Sequence, residues 1–278
     1  MLFNSIDFAI FLPIVFVLYW FVVQNNLKLQ NALIVASSYV FYGWWDWRFL
    51  SLILFSTVVD YLIGQQLRIE KQQSKRKVLL WTSIIVNLGF LGFFKYYNFF
   101  LENFVEAFSL FGMQVNANSL NIILPVGLSF YTFQTLSYTI DVYKKKLEPT
   151  EDFIAFSAFV CFFPQLVAGP IERATNLLPQ FYKKRTFEYN KAVDGMRQIL
   201  WGLFKKVVIA DNCAEYANLI FNNYQDYNGS TLLLGAIFFT FQIYGDFSGY
   251  SDIAIGTSRL FGFDLKQNFA TPYFSRDI

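Results

Sequence analysis

The sequence predicts an all-α, polytopic transmembrane helical protein with re-entrant and interfacial helices. Two observations carry this prediction. In the 278-residue chain, 55% of residues are apolar, 15% are charged and 21% are aromatic, whereas a soluble domain carries more charge and fewer aromatic residues. Apolar segments close to the length of a membrane span also recur along the chain. We expect a single membrane domain over residues 1–278.

Candidate spans fill the first half of the chain. A transmembrane helix needs about 20 mostly apolar residues, and short polar stretches separate the apolar segments here. No basic residue precedes the first segment, so we interpret it as a retained helix rather than a cleaved signal peptide. The candidate spans are residues 8–23, 29–45, 49–63, 78–94 and 120–140.

Basic residues predict which helix ends face the cytoplasm, because Lys and Arg accumulate on cytoplasmic loops. If the spans alternate, one side receives Lys28, the basic loop at 68–77 and the run at 144–146. The other side holds only Arg48 and Lys95 among these basic residues. The first side is therefore predicted to be cytoplasmic, which puts the N-terminus outside.

Residues 153–167 are apolar, yet the next basic cluster, at 183–185, is again expected on the cytoplasmic side. A single crossing cannot satisfy both expectations. Pro164, Gly169 and Pro170 disfavour a continuous helix, and non-helical backbone is tolerated at membrane depth where protein buries it. We therefore predict a re-entrant hairpin.

Two later segments combine apolar runs with charges. Residues 196–210 contain Lys205 and Lys206, which favours an interfacial helix whose lysines extend toward the lipid headgroups. Residues 232–263 are interrupted at 245–252 by glycines, serines and aspartates. This composition predicts a broken helix.

Aspartates within apolar segments are candidates for function, since intramembrane charges are costly. Asp60 and Asp141 lie near predicted cytoplasmic helix ends, where each either serves a function or reaches the interface or a nearby cation. Asp246 and Asp252 flank the predicted break. There they either accompany free backbone groups that bind a substrate or ion, or cap two half-helices.

A polar stripe follows the helix breakers Pro125 and Gly127. Ser129, Gln134 and Asp141 lie along the predicted span that begins there. Such a stripe suits either a polar tunnel or ordinary hydrogen bonding between helices. Both interpretations remain open from the residues alone.

Composition excludes several kinds of site. The chain has no histidine, which removes imidazole bases and histidine metal ligands. Cys161 and Cys213 lack zinc-site spacing, so we expect no metal site. The basic runs at 183–185 and 205–206 are explained by topology and anionic lipids, or by an anionic cytosolic ligand. The net charge of +2 gives no reason to expect a nucleic-acid partner.

Three long motifs carry a family resemblance. They are PVGLSFYTFQTLSYTIDVY at 125–143, FFPQLVAGPIER at 162–173 and YGDFSGYSDIAIG at 244–256, preceded by MLFNS at the start and SSYVFYGW at 37–44. In this order the motifs resemble the N-terminal portion of the membrane-bound O-acyltransferase family, of the alginate O-acetyltransferase membrane-subunit type. The resemblance covers essentially the whole chain.

This resemblance implies a helical protein with re-entrant segments around a tunnel. An acyl group, acetyl in the alginate branch, passes from a cytosolic thioester donor to hydroxyls of an exported or cell-wall polysaccharide, while a related branch moves D-alanine toward teichoic acid. The donor is acetyl-CoA or an acyl carrier protein, and no bound cofactor is expected. A multi-pass bacterial inner-membrane location, contact with membrane lipids and an extracytoplasmic acetyltransferase partner are implied as well.

The same resemblance implies which residues line the tunnel. It also places the family's catalytic histidine in a stretch after residue 278, so we expect the 278 residues to lack the catalytic base and to be inactive alone. The expected tunnel or substrate-binding residues are Ser129, Gln134, Asp141, Gln165, Asp246, Ser248 and Asp252.

Two other classes stay open. A polytopic transporter or flippase with discontinuous helices would also explain a broken helix with intramembrane aspartates, although the sequence shows no inverted repeat. A structural membrane subunit is the third possibility. A histidine-containing aromatic and arginine-rich stretch further along the reading frame would favour the enzyme.

Overall fold

The computed structural model describes residues 1–110, 125–167, 169–268 and 272–276. Every regular element in these residues is helical, which confirms the all-α prediction. Two π-helical segments, Leu18–Val22 and Phe204–Ala210, extend α1 and join α9 to α10. The α-helices are α1 (Ile6–Val17), α2 (Leu27–Asp46), α3 (Leu50–Ile69), α4 (Gln73–Leu110), α5 (Leu128–Tyr143), α6 (Phe153–Cys161), α7 (Phe163–Leu166), α8 (Ala174–Leu177), α9 (Tyr189–Leu203), α10 (Asp211–Asn222) and α11 (Gly229–Leu260).

Among the described residues, three helical stretches are long and apolar enough to cross a membrane: Leu27–Ile69, Gln73–Phe108 and Gly229–Leu260. The first contains α2 and α3, which match two predicted spans. Helix α4 has 38 residues and extends well beyond the predicted span at 78–94. Part of the predicted span at 120–140 lies outside the described residues, and its remainder falls within α5. These helices are those of a membrane protein.

Polar side chains cap the N-terminal ends of several helices. Ser5, Asn26, Asp152 and Asn228 each lie just before a helix, and each side-chain oxygen accepts a backbone N–H of the first turn at about 3 Å. Such N-caps satisfy donors that have no partner within the helix. These four polar residues therefore fix where α1, α2, α6 and α11 begin.

The helices bring the predicted cytoplasmic basic residues to one end of the bundle. Arg76, at the start of α4, donates to the backbone oxygen of Tyr143 at the end of α5, at 3.0 Å. The hydroxyl of Tyr182 donates to Thr150, in the loop after α5. The basic runs beside these residues therefore share one end, which we call the basic end.

The N-terminus lies at the opposite end. The amino group of Met1 donates to the backbone oxygen of Phe41, near the end of α2, at 3.1 Å. The start of α2, with Lys28, lies at the basic end, because Asn31 donates to the backbone oxygen of Phe181 at 2.9 Å. The path of the chain thus agrees with the charge partition predicted from sequence.

The segment between α5 and α9 enters the bundle and returns to the same end. Near the basic end, Tyr61 of α3 donates to the backbone just before α6 at 2.7 Å. Helices α6 and α7 then lead inward to Val167, which borders the same cavity as Met1. Residues 155–166 are all buried, and the chain is back at the basic end by Tyr182. This path matches the predicted re-entrant hairpin.

The hairpin packs tightly against α2 and α5. It bends between α6 and α7, where the hydroxyl of Ser38 accepts the backbone N–H of Phe163 at 3.1 Å. Gly127 precedes α5 with a φ of +76°, and a Cβ added there would lie 2.5 Å from the backbone oxygen of Leu166. Glycine is required because a larger residue would be strained and would collide with the hairpin.

Helix α11 is continuous through residues 245–252, so the predicted break is wrong. The glycines of this run serve close packing instead. A Cβ added to Gly202 of α9 would lie 2.6 Å from the backbone oxygen of Gly249 on α11. Small residues let helix backbones approach closely in membranes. Glycines can break a helix, but these glycines allow two helices to pack in direct contact.

The segment at 189–222 runs antiparallel to α11. Gly195 lies against Gly256, whereas Gly202, one heptad later, lies against Gly249, one heptad earlier. The segment predicted as an interfacial helix therefore belongs to this antiparallel pair of helices.

Candidate functional site

The predicted tunnel residues fall into two groups in the structure. One group surrounds the hairpin on α5 and α7, and the other lies on α11. No hydrogen bond between described residues joins the two groups. The first group comprises Ser129, Gln134, Asp141 and Gln165, and the second comprises Asp246, Ser248 and Asp252.

Gln134 connects α5 to the hairpin. Its side chain is 3% exposed, and its Nε2 donates to the backbone oxygen of Phe159 in α6 at 2.5 Å. That carbonyl lies in the last turn of α6, where backbone oxygens lack helical partners. Ser129, in the first turn of α5, is half-buried, and Asp141, near the basic end, is buried. The roles of all three in a tunnel stay predictions.

The tip of the hairpin holds buried polar atoms without partners. The hydroxyls of Tyr42 and Tyr131 and the Oε1 of Gln165 have no hydrogen-bond partner among the described residues. Tyr42 borders a cavity of about 200 Å³ together with Val126 and Val167. Buried polar groups are nearly always paired, so unpaired ones indicate a place where a missing group can bind.

Gln165 was predicted from the sequence, whereas neither tyrosine was. The chain has 17 tyrosines, and their pattern does not distinguish these two from the rest. Only the approach of α2, α5 and the hairpin brings their segments together. We call Tyr42, Tyr131 and Gln165 the hairpin-tip group.

The residues of the second group bind the lysines of the 204–210 segment. Lys205 forms an ion pair with Asp252, and its Nζ also donates to the hydroxyl of Ser248 at 2.5 Å. Gln198 of α9 donates to the same carboxylate at 3.0 Å. The Lys205 side chain is 9% exposed. It is therefore buried against α11, and the predicted extension toward lipid headgroups is wrong.

Lys206 has a similar arrangement. Its Nζ lies 2.6 Å from an oxygen of Asp246 on α11 and 2.6 Å from an oxygen of Asp211 at the start of α10. The Lys206 side chain is 15% exposed. Both lysines thus bind carboxylates within the helix pair. We call Lys205, Lys206, Asp211, Asp246, Ser248 and Asp252 the charge clamp.

The α11 aspartates fit neither of the two interpretations that were open from the sequence. They cap no half-helices, because α11 is unbroken, and each carboxylate already faces an ammonium group. Pairing neutralises charges that would be costly in apolar surroundings. Because α11 is continuous, a broken helix no longer favours a transporter. Opposite charges in two apolar segments, 205–206 and 246–252, were the sequence signal for this pairing.

Asp60 lies in a different polar cluster, between α3, α4 and α5. It is completely buried, and its carboxylate accepts hydrogen bonds from Ser83 at 2.5 Å, Asn87 at 2.8 Å and Thr139 at 3.2 Å. The expectation that Asp60 reaches the interface or a nearby cation is wrong. Neutral donors surround it instead.

The cluster continues through Asn87. Its side-chain oxygen accepts from Ser56 at 2.8 Å and from Thr135 at 3.2 Å. All of these side chains are buried. We call Asp60, Ser56, Ser83, Asn87, Thr135 and Thr139 the Asp60 network. Each of the three helices contributes two polar residues four positions, or about one turn, apart, a pattern that indicates a shared face but not a partner.

Neither cluster resembles a metal centre. Among the described residues, no group of three or more Asp, Glu, Cys or His side chains could hold a metal ion. The clamp and the network join helices, whereas the hairpin-tip group has hydrogen-bonding atoms that no described residue uses.

Comparison with known proteins identifies relatives over the whole chain. The protein named "Probable alginate O-acetylase AlgI" of Pseudomonas aeruginosa is 40% identical over 282 residues, covering 100% of this chain and 53% of that protein. The peptidoglycan O-acetyltransferase of Helicobacter pylori is 33% identical over 308 residues, covering 100% of this chain and 57% of that protein.

A more distant relative aligns with part of the chain. The teichoic acid D-alanyltransferase of Bacillus subtilis is 26% identical over 162 residues, covering 57% of this chain and 40% of that protein. No family model matches the chain. The chain spans about half the length of the O-acetyltransferase relatives that it matches.

Proposed function

The chain belongs to the membrane-bound O-acyltransferase family, and we propose that its protein transfers an acyl group to hydroxyls of a polysaccharide. The observation that carries this proposal is the alignment of all 278 residues with O-acetyltransferases. Those two relatives are named for different acceptors, alginate and peptidoglycan. Transfer of acetyl to a polysaccharide is what their names share, so acetyl is the proposed group and the acceptor is left general.

The proposed reaction moves the acetyl group from a cytosolic thioester, acetyl-CoA or an acyl carrier protein. The acceptor hydroxyl oxygen attacks the thioester carbonyl carbon, the carbon–sulfur bond breaks, and the thiolate leaves with the proton that the hydroxyl gives up. A base must take that proton first. The 278 residues contain no histidine to do so, and the family resemblance assigns that base to a histidine in the remainder of the protein.

The path of the hairpin supports this proposal. It leads from the basic end, which we propose to be cytoplasmic, to a tip near Met1 at the opposite end. In the inner membrane, a donor bound at the basic end and an acceptor at the other side would then meet along this segment. A partner enzyme outside the membrane would complete delivery to the exported polysaccharide. The N-terminus would lie on that outer side.

In this proposal the hairpin-tip group holds a substrate. The oxygen of Gln165 and the hydroxyls of Tyr42 and Tyr131 are free to bond the acceptor or the acyl carbonyl. Gln134 keeps the hairpin against α5 and so acts as a positioning residue.

Acetylation by membranes containing the full-length protein tests the proposal. We expect labelled acetyl to pass from acetyl-CoA or acetylated carrier protein to alginate or peptidoglycan, and Gln165→Ala to reduce the rate about tenfold, the loss expected for one or two hydrogen bonds. Gln66→Ala, at an exposed glutamine of α3, is the matched control. Membranes that contain the folded protein but transfer no acetyl with either donor and either acceptor would contradict the proposal.

A further inference from the structure

A deep pocket opens at the basic end. It has a volume of about 490 Å³ and lies where α1 ends, α9 begins and α11 ends. Trp20 forms part of its wall and is held by its indole N–H, which donates to the backbone oxygen of Leu260 at 2.9 Å. Phe187 packs edge-on against Trp20, with ring centroids 5.6 Å apart. The volume suits a small molecule or a headgroup rather than a single ion.

Positive charge dominates the lining. Two acidic side chains, Glu188 and Asp264, also line the pocket, and Glu188 binds Lys191 at 2.9 Å. Lys183 and Lys184 are exposed, and the ion pairs of the described residues include neither. The cationic lining residues are Lys183, Lys184, Arg185, Lys191 and Arg259, of which Lys191 is paired with Glu188 and Arg259 with Asp194. We call this site the basic pocket.

Arg185 forms the floor of the basic pocket. It is buried, its guanidinium donates to Asn31 at 2.6 Å, and its charge lies over the ring of Phe263 at 4.7 Å. Burial lowers the pKa of Arg185, partly offset by Tyr19. Its described hydrogen-bond partners are neutral, so its charge is held in place without a carboxylate.

Neutral donors complete the lining. Thr175, Asn176, Gln180 and Thr186 border the pocket beside the cations. Gln180 shapes the wall rather than donating to a ligand: its amide nitrogen donates to the backbone oxygens of Asp264 at 2.9 Å and Asn176 at 3.1 Å, and its oxygen accepts the backbone N–H of Asp264 at 2.9 Å. Several cations together with amide and hydroxyl donors in one concavity match the needs of a phosphate group, which accepts many hydrogen bonds and carries more than one charge.

We propose that the basic pocket binds a phosphate-bearing ligand with at least two negative charges. Such a group comes either from a soluble phosphorylated molecule or from the headgroup of an anionic lipid. The proposal concerns binding alone and does not depend on acyl transfer. Its failure would leave the proposed function untouched.

The test uses the full-length protein in phosphatidylcholine nanodiscs, titrated with inorganic pyrophosphate by calorimetry. In parallel, the protein is extracted from nanodiscs that contain cardiolipin, a lipid with two phosphates, and retained cardiolipin is counted by native mass spectrometry. The variant is Lys183→Gln with Lys184→Gln. The matched control is Lys71→Gln with Lys77→Gln, which removes the same charge from exposed lysines at the basic end but outside the pocket.

We expect the pocket variant to weaken binding of at least one probe about tenfold, as for loss of a charged hydrogen bond, while the control changes it less than about twofold. Loss of pyrophosphate binding identifies a soluble ligand, and loss of cardiolipin retention identifies a lipid headgroup. Because both lysines are exposed, the variant should keep its thermal stability. If neither probe separates the pocket variant from the control, the proposal is wrong.

Discussion

The charge clamp and the Asp60 network place carboxylates among apolar helices in opposite ways. In the clamp, Asp252 and Asp246 face ammonium groups of Lys205 and Lys206. In the network, neutral hydroxyl and amide donors surround Asp60. The first arrangement joins two helices by charge, and the second joins three helices by hydrogen bonds. A charge in a membrane helix is therefore not by itself evidence of a catalytic or transport site, because either arrangement can stabilise the fold.

The largest effect is expected from removing one side of the clamp. Asp252→Leu leaves Lys205 buried without its carboxylate, which costs about 3–5 kcal/mol. Thermal unfolding of the full-length protein in detergent measures this loss. The double variant Lys205→Met with Asp252→Leu should recover most of the stability, because no unpaired charge remains. Equal stability of the single and double variants would rule out a charge-based clamp.

Asparagine substitutions compare the two regions directly. Asp252→Asn keeps the shape but removes the charge that Lys205 needs, so we expect a loss of about 3 kcal/mol. Asp60→Asn should cost only about 1 kcal/mol, because the hydroxyls of Ser83 and Thr139 can accept as well as donate. Thermal unfolding of both variants checks the order. A greater loss at Asp60 would reverse the comparison.

The close contact beside the clamp predicts a smaller effect. Gly202→Ala places a methyl group against the backbone of Gly249, and overpacking of this kind costs about 1–3 kcal/mol. Gly89→Ala on α4 is the control, since nothing lies within 4 Å of an added Cβ there. The control should be neutral or slightly stabilising. Similar melting temperatures for the two variants would contradict the tight packing of α9 on α11.

The smallest effect is expected at the edge of the network. Thr139→Val removes one of the hydrogen bonds to Asp60, worth about 1 kcal/mol. Thr82→Val, at an exposed threonine of α4, should have little effect. Chemical unfolding of purified full-length protein can resolve the difference. If Thr139→Val is neutral, the other donors alone are sufficient for Asp60.

Much of the architecture could be predicted because it depends on local composition. Residues at 27–69 are apolar along their length, and α2 and α3 form there. A hairpin was predicted because the basic runs before and after the apolar segment both belong on the cytoplasmic side, and Pro164 and Gly169 disfavour a continuous helix between them. Sequence could not predict the continuity of α11, because Gly245 and Gly249 disfavour a helix in isolation and become favourable only against a second helix.

The residues of the candidate site show this limit of sequence-based prediction more clearly. Gln165 stood out in sequence because it lies within a motif, whereas Tyr42 and Tyr131 did not, because their unpaired hydroxyls exist only where α2, α5 and the hairpin meet. Opposite charges at 205–206 and 246–252 indicated a pairing, but not which carboxylate binds Lys205. Asp252 lies 47 residues away, and only the antiparallel packing of α9 and α11 brings the two side chains together.

By itself, the sequence determined the class of this protein: a helical membrane protein with its basic residues on one side and the motifs of an acyltransferase family. These properties follow from composition and short-range pattern, which any chain segment expresses alone. Tertiary structure decided the partners of the buried charges, the continuity of α11 and the shape of the basic pocket. Each of these depends on distances between segments far apart in the chain, and such distances are set only when the helices pack.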